Sequence, residues 1–266
     1  MTALVQRRDY LAGQRRTIIA RALMGSLAGL VPLPFVDDMA VTRVLGAGYR
    51  RVAAAHQVDL TPEAINVLVH GTTKPPSIGG MAIAGVVARV ATRAARRMMV
   101  AIAAVNRARS AARTFVAMTL FDHYCAKLHT GLALDGATAL MLREEIIKAI
   151  DATPGALAFH PFRRGVLSAA RATLRAPLEL ADIASGGRLR KMLAAKSQSE
   201  VTEGERVDEL DQAMEHILAD KSNFLTRAVA AVEAQLSSEI NPFLEGAIDS
   251  LDRRWRARVA AGKLTK

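Results

Sequence analysis

A single cysteine in 266 residues, Cys125, leaves no partner for an intrachain disulfide and points to a reducing compartment, the cytoplasm. Aromatic residues make up only 4% of the chain, and no run of β-branched and aromatic residues stands out; both absences argue against a sandwich or barrel. The longest uncharged runs, 22–36 and 75–88, fall short of the roughly 18–20 residues a helix needs to cross a bilayer. Arg7, Arg8, Arg15, Arg16 and Arg21 interrupt the apolar residues of the N-terminal stretch, so no secretory signal is read there. The lone Gly-Lys pair, Gly262-Lys263, is followed by Leu264, and no Gly-x-Ser-x-Gly, zincin or Cys-x-x-Cys motif occurs. The chain therefore shows no catalytic motif and calls for no cofactor.

What is abundant is alanine, with about 50 residues, in a chain that is 51% hydrophobic and 23% charged. That composition suits closely packed helices. Leu11, Ile18, Leu23 and Leu27 recur near helical spacing, and Gly25 and Gly29 permit a close helix approach, in lipid or in a tight alanine core. Pro32 and Pro34 break this helix, and Asp37 or Asp38 caps the next. Asp59 or Thr61 with Pro62 starts a third helix, which Gly71 stops. Residues 81–129 read as a long helix or a helical hairpin, with a turn or kink near 106–110, because an unbroken helix of that length would be about 70 Å. Further helices are expected at 133–152, 163–185 and 189–196, and a polar linker at 197–205. Val207, Leu210, Met214, Ile217, Leu225 and Val232 form one stripe, and Leu244, Ile248, Leu251 and Trp255 a second. The expected fold is all-α: a bundle of roughly eight helices, with a main body at 1–196 and a C-terminal helical hairpin at 206–266.

Charge is unevenly distributed. Residues 1–115 hold 16 Lys/Arg against 5 Asp/Glu, whereas 197–266 hold 9 against 13, within a total of +11. A basic front half either pairs with the acidic back end or meets an anionic partner. Arg89, Arg93, Arg96 and Arg107 share a helical face, with Arg97 beside them. This face has three readings: a structural surface, a membrane surface whose guanidinium groups meet headgroups, or phosphate contacts to nucleic acid. The hairpin is expected to dock on the body and cover part of it.

The densest chemistry lies in 121–129. Asp122, Cys125 and His129 are spaced to share one face of a helix and are competent metal ligands, with His56 or His160 as a fourth, but the favoured reading is structural, a buried cysteine beside a hydrogen-bonded Asp–His neighbourhood. Asp37 and Asp38 read as helix-capping acids, and Glu144 with Lys148 as an ordinary i, i+4 pair.

The turn Pro32-Leu33-Pro34, the acids Asp37 and Asp38, and the closing Val52-Ala53-Ala54-Ala55-His56 make segment 29–58 resemble the EcsC-like families and the helical domain beside GTPase domains in YcjF-type proteins. A fainter echo runs from Leu134-Asp135-Gly136 through Leu142-Arg143 to Ala149-Ile150. The resemblance covers about a quarter of the chain and implies a bacterial, membrane-associated helical protein; the missing phosphate loop excludes the GTPase half. The resulting expectation is a non-enzymatic protein, cytoplasmic and peripheral at the inner membrane. It would bind an anionic membrane surface or a helical protein partner through Leu23, Leu27, Leu30, Phe35, the five arginines above and Trp255. The alternative is a soluble interaction or nucleic-acid-binding module, and the C-terminal hairpin could also join two copies.

Overall fold

The computed structural model describes residues 9–28, 37–72, 93–153, 155, 160–163, 224–238 and 242–262. A 3₁₀ turn (Asp9–Leu11) leads into α1 (Ala12–Ala28), followed by α2 (Asp37–Ala55), β1 (Asp59–Leu60), α3 (Pro62–His70) and α4 (Arg93–Lys127). β2 (Ala133–Leu134), α5 (Gly136–Asp151), α6 (Phe224–Ser238) and α7 (Pro242–Ala260) complete the described elements. The fold is all-α apart from two paired two-residue strands. The helices expected at 163–185 and 189–196, the linker at 197–205 and the stripe residues Val207 to Ile217 lie outside the described residues.

The start and stop signals of α3 act as their residue types dictate. Thr61 is extended, its hydroxyl oxygen accepts the Ala64 N–H at 3.2 Å, and Pro62 fills the first turn, where no N–H is needed. Gly71 closes the helix at φ 79°, donating its N–H to Val67 O at 2.8 Å, a left-handed cap that favours glycine. Asp135 does for α5 what Thr61 does for α3, accepting the Thr138 N–H at 2.7 Å. β1 and β2 are parallel, with Asp59 opposite Ala133 and Leu60 opposite Leu134, so the two caps follow at matching positions. The segments around 59–62 and 133–136 thus form a structural repeat: helix, two-residue strand, cap, helix. The pairing sends α3 and α5 off side by side, and the two helices pack together.

The turn expected near 106–110 does not form. α4 runs unbroken through 35 residues, about 52 Å at 1.5 Å per residue. The residues that suggested a turn are accommodated on the helix surface: Asn106, Arg109 and Ser110 are exposed, while Ala108, Ala111 and Ala112 are buried. Small side chains on the buried side let α1 lie close along α4. Gly25 plays the same part between α1 and α2, since a Cβ there would stand 2.7 Å from Leu45 Cδ2. At Gly25 the small-residue pattern serves a tight core.

One core unites the described helices. Ile18, Ile19 and Leu23 of α1, Val44 and Val52 of α2, Phe115 to Tyr124 of α4, and Leu142 and Ile146 of α5 share it with Leu225, Val229 and Val232 of α6 and Ile248, Leu251 and Trp255 of α7. α6 packs on α1, and α7 on α5 and α4. The C-terminal helices therefore dock intramolecularly, and their apolar stripes are core. α7 meets α4 at His123 and Tyr124, about 24 Å along the axis from Arg107, while the acidic stretch 200–220, expected to cover part of the basic body, lies outside the described residues.

Trp255 is 3% exposed and stands edge-on to Tyr124, with ring centroids 4.9 Å apart. Trp255→Ala should lower unfolding free energy by about 3–5 kcal/mol, read from urea titration. A loss under about 1 kcal/mol would show that α7 is not core.

Candidate functional site

The cation side of the expected binding surface is only partly described. Leu30, Phe35 and Arg89 lie outside the described residues; Leu27, Arg93, Arg96 and Arg97 belong to α1 and α4, with side chains that are not described. Two members are corrected outright. Leu23 is fully buried and Trp255 nearly so, because each lies on the stripe its helix turns toward the core. Arg107 is half-buried and donates from Nη1 to Ser26 O at 2.6 Å, satisfying a carbonyl in the last turn of α1. It holds α4 to α1.

The metal constellation does not assemble either. α4 ends at Lys127, and Leu128 and His129 both donate backbone N–H groups to Tyr124 O, at 2.9 and 2.8 Å, so the chain curls before His129 can continue the helix face. His129 Nδ1 lies 3.1 Å from the Tyr124 hydroxyl, and burial lowers the pKa of the ring against the opposing pull of a backbone hydrogen bond to Gly131. Cys125 is buried, and desolvation pushes its thiol far above the usual range. His160 is exposed at a separate helical turn. Among the described residues no group of three His, Cys, Asp or Glu side chains could hold a metal ion.

What does assemble is a pair of His–carboxylate contacts on consecutive residues of α4. Asp122 is completely buried, and its Oδ1 accepts from His56 Nε2, at the end of α2, at 2.6 Å. Oδ2 has no hydrogen-bond partner among the described residues. Burial raises the Asp122 pKa, against the opposing pull of His56 and His123. His123, 2% exposed, donates from Nε2 to Asp252 Oδ1 of α7 at 2.6 Å. Its Nδ1 then accepts the hydroxyl of Tyr10, in the turn before α1, at 2.5 Å. Arg256 Nη2 approaches the other Asp252 oxygen at 3.8 Å, and Lys127 Nζ lies over the Tyr10 ring, 5.1 Å from its centroid. Three elements converge on one helical turn of α4.

Two further buried charges hold the scaffold. Arg21, 1% exposed, donates to Val44 O at 3.3 Å, and burial with Arg51 nearby lowers its pKa to about 10, so it stays charged at neutral pH. Glu144 and Lys148 pair at 2.8 Å as expected, but the neighbouring Glu145 is buried rather than solvated. Arg258 reaches both acids, at 2.9 and 2.7 Å, and ties α7 to α5.

Sequence reasoning placed Asp122 and His56 among the candidates but missed Tyr10, His123 and Asp252 as a set. Tyr10 lies 113 residues from His123, and His123 129 residues from Asp252. The local cue was Phe121-Asp-His-Tyr, three polar residues consecutive in a helix too deeply placed to solvate them. Compared with protein-family models, curated proteins and solved structures, the chain matches none.

In the folded chain Asp122 holds its proton to higher pH than in the unfolded chain. Its contribution favours the native state below about pH 4 and is lost as pH rises through the folded value. Asp122→Asn, which keeps an acceptor oxygen for His56, should therefore gain on the wild type between pH 4 and pH 7 in urea midpoint. A variant that loses ground over that interval would contradict this.

Proposed function

We propose that the protein is a non-enzymatic helical scaffold that associates peripherally with an anionic membrane surface through its basic half. The observation that carries this reading is the charge distribution: 16 Lys/Arg against 5 Asp/Glu in residues 1–115, within a total of +11. A field of that sign draws the protein to phosphate-bearing headgroups, each basic side chain near the surface contributing about 1 kcal/mol. No helix among the described residues is long and apolar enough to cross a membrane, which is compatible with a surface mode. The resemblance of segment 29–58 to the EcsC-like families supports the same class.

The geometry alters the mechanism first read from the sequence. Leu23 belongs to the core and takes no part in the contact, which is electrostatic. Arg15, Arg50, Arg113 and Arg163 remain at least partly exposed on the front half and beyond it. Arg113 approaches Asp151 at 4.0 Å with both side chains more than half exposed, a contact worth little against a headgroup.

Liposome flotation checks the reading. The full chain should float with vesicles containing phosphatidylglycerol, stay behind with pure phosphatidylcholine, and detach at 0.5 M salt, where screening leaves a Debye length of about 4 Å. No flotation with the anionic vesicles, together with salt-sensitive binding to DNA or RNA, would replace this function with the nucleic-acid-binding alternative.

A further inference from the structure

We propose that Tyr10 is a nucleophilic phenol that takes an acyl group from an activated carboxylic ester, with His123 as its base and Asp252 as the residue that positions the base. The arrangement has the three parts such chemistry needs: a hydroxyl, an imidazole within hydrogen-bond reach, and a carboxylate that fixes the tautomer of the imidazole. Asp252 Oδ1, 2.6 Å from His123 Nε2, accepts that N–H and leaves Nδ1 as the acceptor facing the Tyr10 hydroxyl at 2.5 Å. The imidazole is almost completely buried, whereas Tyr10 is half-buried and Asp252 about a quarter exposed. The two outer residues of the relay are thus more exposed than the imidazole between them.

The other tyrosines set the contrast. The chain has three. Burial pushes the Tyr49 phenol up to about 12 and Tyr124 higher still, and the Tyr124 hydroxyl is spent on His129. Tyr10 alone faces a histidine that a carboxylate orients.

Lys127 Nζ lies over the ring face of Tyr10, 5.1 Å from the centroid, and a hydroxyl–imidazole–carboxylate relay of this kind serves attack on a neutral carbonyl. In the step, Tyr10 Oη bonds to the ester carbonyl carbon and its proton passes to His123 Nδ1. The bond from that carbon to the leaving oxygen then breaks, and the proton goes to the departing alcohol. The products are an acyl-tyrosine and a free alcohol, with no oxidant or reductant involved.

The probe is p-nitrophenyl acetate on the full chain at neutral pH, followed by p-nitrophenol release and peptide mapping, which separates tyrosine from lysine acetylation. Tyr10 should be acetylated at least about tenfold faster than N-acetyltyrosinamide, the scale of a modest general-base contribution, while Tyr49 and Tyr124 stay unmodified. Asp252→Asn, with folding checked by its melting curve, should return the Tyr10 rate to that of the free phenol. It should also move the pH profile to one that climbs with phenolate up to the ordinary tyrosine range. Tyr10→Phe keeps the ring and should abolish the fast phase. A folded wild-type chain in which Tyr10 reacts no faster than N-acetyltyrosinamide overturns the proposal, as does a folded Asp252→Asn chain with an unchanged rate and pH profile.

Discussion

Every residue from Met118 to Cys125 is buried, and that constraint governs the rest of the structure. A helix surrounded on all sides must find a partner for each face, and this stretch includes Thr119, Asp122 and His123. Each polar group accordingly dictates a neighbour. Thr119 returns its hydroxyl to Phe115 O at 2.8 Å, Asp122 brings in His56 from the end of α2, and His123 brings in Tyr10 and Asp252 from opposite ends of the chain. The apolar members do the same by shape: Phe121 meets Tyr49 edge-on at 5.1 Å, and Tyr124 meets Trp255.

The energetic weights differ between the two kinds of contact. A large buried side chain such as Trp255 or Phe121 stabilises by about 3–5 kcal/mol against truncation, whereas a buried His–carboxylate pair roughly offsets its own desolvation. The polar contacts are then better understood as determining which elements meet, with apolar burial supplying the stability. Breaking one partner is a different matter, since it leaves its mate stranded in a low dielectric. The raised pKa of Asp122 expresses that tension, for burial outweighs even a histidine at 2.6 Å.

How far the sequence was legible divides along the same line. The α3 boundaries were readable because Thr61, Pro62 and Gly71 act on their own neighbours. The burial of Leu225, Val232, Ile248 and Leu251 was readable as stripes, although not which helix they would meet. The continuity of α4 was not legible, because Asn106 and Ser110 signal a turn locally and only the burial of Ala108, Ala111 and Ala112 in the core overrides it. Trp255 flanked by arginines read as an interface residue because adjacency along the chain was taken for adjacency in space; on α7 the arginines at 253, 254 and 256 are partly or fully exposed while the indole faces inward. The candidate metal set Asp122, Cys125 and His129 assumed a helix that continued to His129, whereas α4 ends at Lys127.

If the buried turn of α4 organises the chain, the N-terminal and C-terminal helices must open only when the whole core opens. Native-state amide hydrogen exchange measures this directly. The slowest amides of α4 near Met118 to Tyr124 and those of α7 near Ile248 to Trp255 should share one opening free energy, equal to that of global unfolding in urea. Exchange in α7 through an opening several kcal/mol below that of α4 would contradict it, and would make the C-terminal helices a separable unit.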